Sequence, residues 1–322
     1  MPRATFAAVL RKRTLVPERI KRDREGLVER SSRFPACRRL DDGWHAAGRL
    51  HSRRVVGVVV VTWRSNPRAL SCIERVRETL PEGAVVLVDN EAAEPRLKTS
   101  ATVLAQGDNL GFAAGANLGI AHAVAAGASH AVLLNDDVLV EPGCLAALVA
   151  AAGEERAVSP AIDAPRADAF AGGRIDWKRG FGSHEAGALD FLTGAALCIP
   201  RGVWERVGPF NEQLFLYYED VDWSRRALAA GVELHVALDA RATHEAGSSA
   251  GGETWAYYST RNRLWFLQTY VGLRAARREA VRTSWRARLR AVRSSERAVA
   301  QAKLAGVEDW SAGRLGKGPY PR

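Results

Sequence analysis

Val55–Trp63 reads VVGVVVVTW. An unbroken β-branched run without polar alternation suits a strand buried on both faces, as in a parallel sheet covered by helices. Working outward, Asn66-Pro67 is a helix-start signal, and Leu70, Ile73, Val76 and Leu80 mark one apolar face until Pro81 and Gly83 stop it. Ala84–Val88 is a second buried strand and ends in Asp89-Asn90. After a short segment near Val103, the stretch 108–127, DNLGFAAGANLGIAHAVAAG, is a Gly-rich turn running into a helix of small residues. The stretch 131–137, AVLLNDD, is a third strand, followed by a helix begun by Pro142. This rhythm predicts an α/β fold with a twisted, mainly parallel sheet and helices on both faces.

Further along, residues 163–188 carry Gly172, Gly173, Gly180, Gly182 and Gly187 around Trp177 and Phe181, and read as a mobile loop at the rim of a site. Phe191–Ile199 reads as a strand, Glu219–Ala230 as a helix and Val232–Leu238 as another strand. From Tyr257 onward the chain is helical and increasingly basic.

The chain has 322 residues, 47% hydrophobic and 25% charged, which excludes disorder throughout. No apolar run approaches the roughly 20 residues of a spanning helix, and no signal-peptide pattern opens the chain, so the expected location is the cytoplasm. Cys37, Cys72, Cys144 and Cys198 have no metal-ligand spacing and are expected to be reduced and buried.

The net charge of +10 is unevenly spread. Residues 1–54 hold 15 Lys/Arg against 6 Asp/Glu, residues 271–322 hold 13 against 4, and residues 55–270 hold 18 against 26. The expected organisation is a basic, poorly ordered extension over 1–54, a catalytic domain over 55–270, and a basic helical tail over 271–322. In that tail Arg277, Arg278, Arg282, Arg286 and Arg290 recur at helical spacing beside Trp285 and Leu289. The pattern reads either as peripheral contact with an anionic membrane or as a solvated helix face.

In parallel sheets ligands bind beyond the carboxyl ends of the strands. Asp89, Asn135, Asp136 and Asp137 fall there. The adjacent carboxylates of Asp136 and Asp137 suit a hard divalent cation, or simply a polar turn. Glu219, Asp220 and Asp222 open a helix, where acids serve as caps, or where one carboxylate serves as a general base. Thr62, Asp89 and Asn90 are candidates for base or ribose contact. The segment 109–117, NLGFAAGAN, is a candidate for backbone approach to a diphosphate, although it lacks the GxGxxG spacing.

Taken in order, VVVVTW, LVDN, DNLGFAAGANLGI, AVLLNDDVLVEPGCL, the long segment from FLTGAAL to AAGVEL, DARATHEAGSS and YYSTRNRLWFL resemble family 2 glycosyltransferases, and especially their rhamnosyltransferase-like branch. The resemblance covers about residues 55–270. It implies a GT-A fold, a nucleotide-sugar donor linked to UDP or dTDP, a divalent cation (Mg²⁺ or Mn²⁺), a glycan or lipid-linked acceptor and inversion at the anomeric carbon. Residue by residue it implies Asp220 as catalytic base, with Glu219 and Trp223 near the acceptor. Asp137 and His244 become metal ligands, and Thr62, Asp89, Asn109, Gly111, Asn117, Asn135 and Asp136 become donor contacts. Asn135 stands where the family's metal motif carries its first Asp.

Two rivals fit less well. A sugar-phosphate nucleotidyltransferase would need a Gly-rich basic loop after the first strand, and Arg64-Ser65-Asn66-Pro67 is not one. A nucleic-acid-binding protein would use the basic ends, but no zinc finger or aromatic RNA-binding motif accompanies them, so no nucleic-acid partner is expected.

Overall fold

The computed structural model describes residues 55–81, 83–94, 96–164, 167–183, 188–244 and 252–320. The basic extension 1–54, Cys37 and Gly187 lie outside these.

The VVGVVVVTW run forms β1 (Val56–Trp63), the central strand of a curled sheet. Its valines alternate between two cores. Val58 and Val60 face one layer, formed by α1 (Arg68–Thr79), and Val59 and Val61 face the other. β2 (Ala84–Asn90) and β3 (Thr102–Ala105) extend the sheet on one side, all parallel. α2 (Phe112–Ala125) covers the second face and leads into β4 (His130–Asn135), parallel to β1 on its other side. A short β5 (Val138–Val140) follows the Asp136-Asp137 turn, then α3 (Cys144–Ala152) joins α1 on the first face.

Beyond β4 the sheet is mixed. β6 (Arg156–Ala164) pairs with β7 (Ala167–Phe170), and β8 (Gly172–Asp176) pairs with β9 (Phe181–Ser183) and with β10 (Phe191–Leu192) in a small second sheet. Residues 163–188 therefore contain strands where glycines suggested a loop. Gly172 and Gly173 pair directly with Leu192 and Phe191, and at Gly172 a methyl would sit 2.4 Å from Phe191 O, so its small size serves close strand approach. The stretch 191–199 is two strands, because Thr193–Ala195 leave the small sheet before β11 (Ala196–Pro200) enters the large one antiparallel to β4.

α4 (Arg201–Val207) and α5 (Glu219–Ala229) lie on the α2 face. β12 (Glu233–His244) is longer than its apolar start: a register shift between Ala237 and Arg241 lets 241–243 resume pairing with β6, while 242–244 pair with β5. The complete order is β3-β2-β1-β4-β11-β6-β12-β5. Three helices close the chain: α6 (Glu253–Tyr270), α7 (Leu273–Arg290) and α8 (Arg297–Ser311). Phe215, Tyr257, Tyr258, Ala302 and Tyr320 form a separate apolar cluster joining the segment before α5, α6, α8 and the C-terminal residues.

Cys72, Cys144 and Cys198 are free and buried. Burial pushes the Cys144 and Cys198 thiols up to about 12, so neither is a thiolate at neutral pH.

α2 lies against β1 because Gly119 has no side chain: a methyl there would sit 2.2 Å from Val59 Cγ1 and 3.0 Å from Val88 Cγ2. Gly119→Ala is therefore expected to destabilise the fold by about 1–3 kcal/mol through overpacking, measured by urea unfolding. This outweighs the helix-propensity gain of about 1 kcal/mol.

Candidate active site

The carboxyl ends of β1, β2 and β4 place the first polar residues. Register sets Thr62 beside Asp89 on β2, and Val61 beside Asn135 on β4. Thr62 Oγ1 reaches past that pair and donates to Asp136 Oδ2 at 2.6 Å. Burial pushes the Asp136 carboxyl above its ordinary range; the Thr62 bond opposes this and the Asp137 charge reinforces it. Asp89 is fully buried and accepts from Ser65 twice, from the amide at 3.0 Å and the hydroxyl at 2.7 Å. Nothing in the sequence marks Ser65 as the partner; the left-handed backbone of Arg64 and Ser65 folds it back onto the strand end.

Asp137 and His244, 107 residues apart, meet through β5 and β12. Pairing of Val138 with His244 sets His244 Nε2 3.2 Å from Asp137 Oδ1, with both side chains largely buried. Among the described residues no group of three or more His, Cys, Asp or Glu forms a ready metal cage. The donor set nonetheless fits a divalent ion in kind, since a carboxylate and an imidazole converge with a second carboxylate next in sequence.

The acid pair arrives from α5. β11 runs antiparallel to β4, so its lead-in lies at the carboxyl end of β4. There Ala195 O accepts from the Asn135 amide at 2.9 Å, and the neighbouring Gly194 amide donates to Asp220 Oδ2 at 2.9 Å. Asp220 Oδ1 accepts from the Val221 amide at 2.8 Å. Asp220 is partly exposed, whereas Glu219 is buried and its Oε2 has no hydrogen-bond partner among the described residues. Burial and the Asp220 charge push the Glu219 carboxyl well above its ordinary value.

Trp223, expected near the acceptor, is fully buried, packs on Phe210 and donates Nε1–H to Gly208 O at 2.9 Å, so the structure places it in the core. Asp222 is likewise structural, accepting from Tyr270 Oη at 2.6 Å and Arg226 Nε at 3.0 Å.

The Gly-rich segment also does something other than expected. Gly111, at φ +85°, gives the turn its left-handed corner, and Asn109 Oδ1 accepts its amide at 2.9 Å. The next two amides, Phe112 and Ala113, donate to Phe215 O at 2.7 and 3.4 Å. Protein thus occupies the helix start proposed for a diphosphate. Asn117 holds the same neighbouring segment, donating to Phe210 O at 3.0 Å and Glu212 Oε1 at 2.8 Å and accepting from the Phe210 amide at 2.8 Å. The Gly111 turn and Asn117 therefore brace the approach to α5, and the turn is also tied to the end of β2, where Asn90 Nδ2 donates to Gly111 O at 3.1 Å.

That approach is strained: Phe215, Tyr217 and Tyr218 all have positive φ, between 66° and 72°. α6 holds it in place. The fully buried Asn262 donates through Nδ2 to Leu214 O, Leu216 O and Tyr217 O at 2.8–2.9 Å, and Arg261 donates to Leu214 O at 3.1 Å and Gly316 O at 2.8 Å. The signal in the sequence is the polar triplet Arg261-Asn262-Arg263 set between the aromatic and apolar residues Tyr257-Tyr258 and Leu264–Leu267.

Residues 52–266 match the model of the family described as glycosyltransferase like family 2. The chain belongs to that family. No curated protein matches it. Among solved structures, GalNAc-T7 crystallised with UDP, GalNAc and Mn²⁺ aligns with a TM-score of 0.54 at 16% identity, over 74% of this chain and 55% of that one. The chain thus spans about half the length of that structure. Residues 1–349 of S. aureus TarS align with a TM-score of 0.47 at 13% identity, over 80% of this chain and 92% of that one. With the family match, the first likeness gives a GT-A-like fold to the family 2 domain.

Two outcomes are expected for this domain. Asn262→Ala removes the Asn262 donor from the carbonyls of Leu216 and Tyr217, each worth about 1–3 kcal/mol when buried without a donor, while Leu214 O keeps Arg261, so the unfolding free energy should fall strongly. Asn262→Asp keeps the shape without the donors and should lose at least as much. Glu219 has a raised pKa in the folded state, so the stability it contributes is present at low pH and declines as pH rises through that value. Glu219→Gln should therefore match the parent near pH 4 and exceed it increasingly towards pH 8, read as unfolding temperature across pH.

Proposed function

We propose that the protein is an inverting glycosyltransferase that moves a sugar from a nucleotide-diphosphate donor to an acceptor hydroxyl, with Asp220 as the base. One observation carries the assignment. Asp220 is the partly exposed member of the acid pair, aimed by the Gly194 and Val221 amides at the strand ends where Asp136, Asp137 and His244 gather. Both amides are main-chain donors, one in the turn between β10 and β11 and one in the first turn of α5, so the carboxylate is positioned before any acceptor arrives.

In this reading the acceptor O–H gives its proton to an Asp220 oxygen as the new C1–O bond forms. The C1–O bond to the diphosphate breaks on the opposite face, and its electron pair leaves with the phosphate. A single displacement inverts the anomeric carbon and needs no enzyme nucleophile. Burial and the Asp220 charge push the Glu219 carboxyl well above its ordinary value, whereas Asp220 is the partly exposed carboxyl of the pair.

Asp137 and His244 would hold a divalent cation, and such an ion, when bound, neutralises charge growing on the leaving diphosphate. Support comes from the convergence of the two side chains and from the presence of UDP and Mn²⁺ in GalNAc-T7 on the same fold. Thr62, Asp89, Asn135 and Asp136 line the donor end. Asp89 serves it by fixing the Arg64–Ser65 turn that follows β1. UDP or dTDP as the nucleotide, rhamnose as a candidate sugar, and a glycan or lipid-linked acceptor complete the reading.

Asp220→Asn keeps the hydrogen bonds from Gly194 or Val221 but cannot take a proton. It should leave donor affinity intact while kcat falls about 10²–10⁴-fold, measured by steady-state kinetics and donor titration. A capping role alone would predict almost no change, since Asn caps as well as Asp. The product should show the anomeric configuration opposite to the donor, read from the H1–H2 coupling; a retained anomer overturns the mechanism. Excess EDTA should stop turnover, and Asp137→Ala should abolish divalent-dependent nucleoside diphosphate binding without unfolding the chain. Turnover unchanged by EDTA overturns the metal assignment.

A further inference from the structure

α7 is built inside out. The face it packs against α6 and α8 consists of Ala276, Ala280, Thr283 and Ala287 with Glu279, all buried. The opposite face, in solvent, carries Val281, Trp285 and Leu289, continued by Val292 in the following turn, with exposures of 72%, 62%, 55% and 79%. The spacings of four, four and three residues set them in one row along the helix. Large apolar side chains scattered singly over a surface are ordinary, but a continuous row on one helix is not.

The row is bordered by cations. α7 has seven arginines and one acid, and that acid, Glu279, is buried against Arg263 at 3.0 Å. Arg274, Arg278 and Arg288 are exposed next to the row and have no acidic partner among the described residues. On the flank of the same helix, a cavity of about 350 Å³ is lined by Arg263, Arg286, Arg290 and Lys303 together with Glu279 and Glu296. Burial and the nearby Arg290 and Arg263 pull the Lys303 ammonium below its ordinary value, against the opposing charge of Glu296.

We propose that this face of α7 docks on a bilayer containing anionic phospholipids. Val281, Trp285, Leu289 and Val292 enter the headgroup–acyl boundary, and the bordering arginines meet lipid phosphates. Apolar side chains in the middle with cations on both sides is the arrangement an interfacial helix requires, because arginine stems lie along apolar surface while their guanidinium groups stay at phosphate depth. A second copy of the chain would set the same arginines against each other, and residues 1–54 carry a large positive excess of their own, so like charge opposes both as occupants. A nucleic acid would match the arginines but leave the apolar row in water. No helix among the described residues is long and apolar enough to cross a membrane, so the contact is peripheral.

The test is flotation of the full chain with vesicles of phosphatidylcholine alone and of phosphatidylcholine with phosphatidylglycerol, which reads no turnover and so stands apart from the catalytic reading. The protein should float with the anionic vesicles, stay behind with the neutral ones and be released by high salt, whereas inorganic phosphate at matched ionic strength should not displace it further. A Val281→Ser, Trp285→Ser, Leu289→Ser variant should lose flotation while keeping the parent's unfolding temperature. Arg278→Gln with Arg288→Gln should weaken vesicle partitioning about fivefold per arginine. Equal flotation on neutral vesicles, or undiminished flotation of the serine and the glutamine variants, overturns the proposal. So does a lipid-free dimer of the parent that the serine variant reduces to monomer, which would assign the row to a second copy.

Discussion

The hydrogen bonds from Asn262 to the carbonyls of Leu214, Leu216 and Tyr217 are the constraint on which the site depends. A segment with three left-handed, non-glycine residues costs of order 1–3 kcal/mol for each and persists only where its surroundings over-determine it. One buried amide group from α6 supplies most of that determination. Arg261 ties the same segment to Gly316, and the Gly316 amide donates to Gln213 O at 2.7 Å. From the other side, the first amides of α2 donate to the Phe215 carbonyl, which caps them. The acid pair emerges from this knot at the first turn of α5, and its position follows from groups on α2, α6 and the C-terminal residues together.

This arrangement joins stability to chemistry. The strained backbone turns the chain so that Glu219 points inward and Asp220 faces the strand ends, giving two adjacent carboxyls different environments. Burial raises the pKa of one, while main-chain amides hold the other at the crevice. Paired carboxyls whose surroundings differ in this way are a recurrent means of dividing acid and base roles. The C-terminal helices serve this purpose on their inner side. The outer side of α7 is free of it, and its apolar row among arginines faces away from the packed face.

The parallel half of the fold was legible because burial on two faces demands continuous β-branched residues, and VVGVVVVTW, AVVLV and AVLLN have no other stable use. The interrupted elements were not. Phe191–Ile199 is one apolar run to a periodicity reading, yet Gly194 and its neighbours leave one sheet and enter another within three residues. Gly172 and Gly182 sit where β8 and β9 pack closely on Phe191, but in the sequence they carry the same composition that a loop displays. Trp223 is aromatic and close to the acids in sequence, but helical geometry turns it to the core.

The sequence by itself determined the central strands, the helices between them, and the carboxylates that cap their ends, because these follow from local pattern and from a family resemblance carried by short motifs. Tertiary structure alone decided which of those residues meet. Asp137 and His244 come together only through a bulged strand and three residues of pairing between β5 and β12, and no local signal encodes a register. The Gly-rich turn became a brace for the segment before α5, because the Phe215 carbonyl, 103 residues on from Phe112, took the helix start first. Contacts between residues so far apart depend on the positions of whole elements, and those are set by the packing of all their neighbours at once.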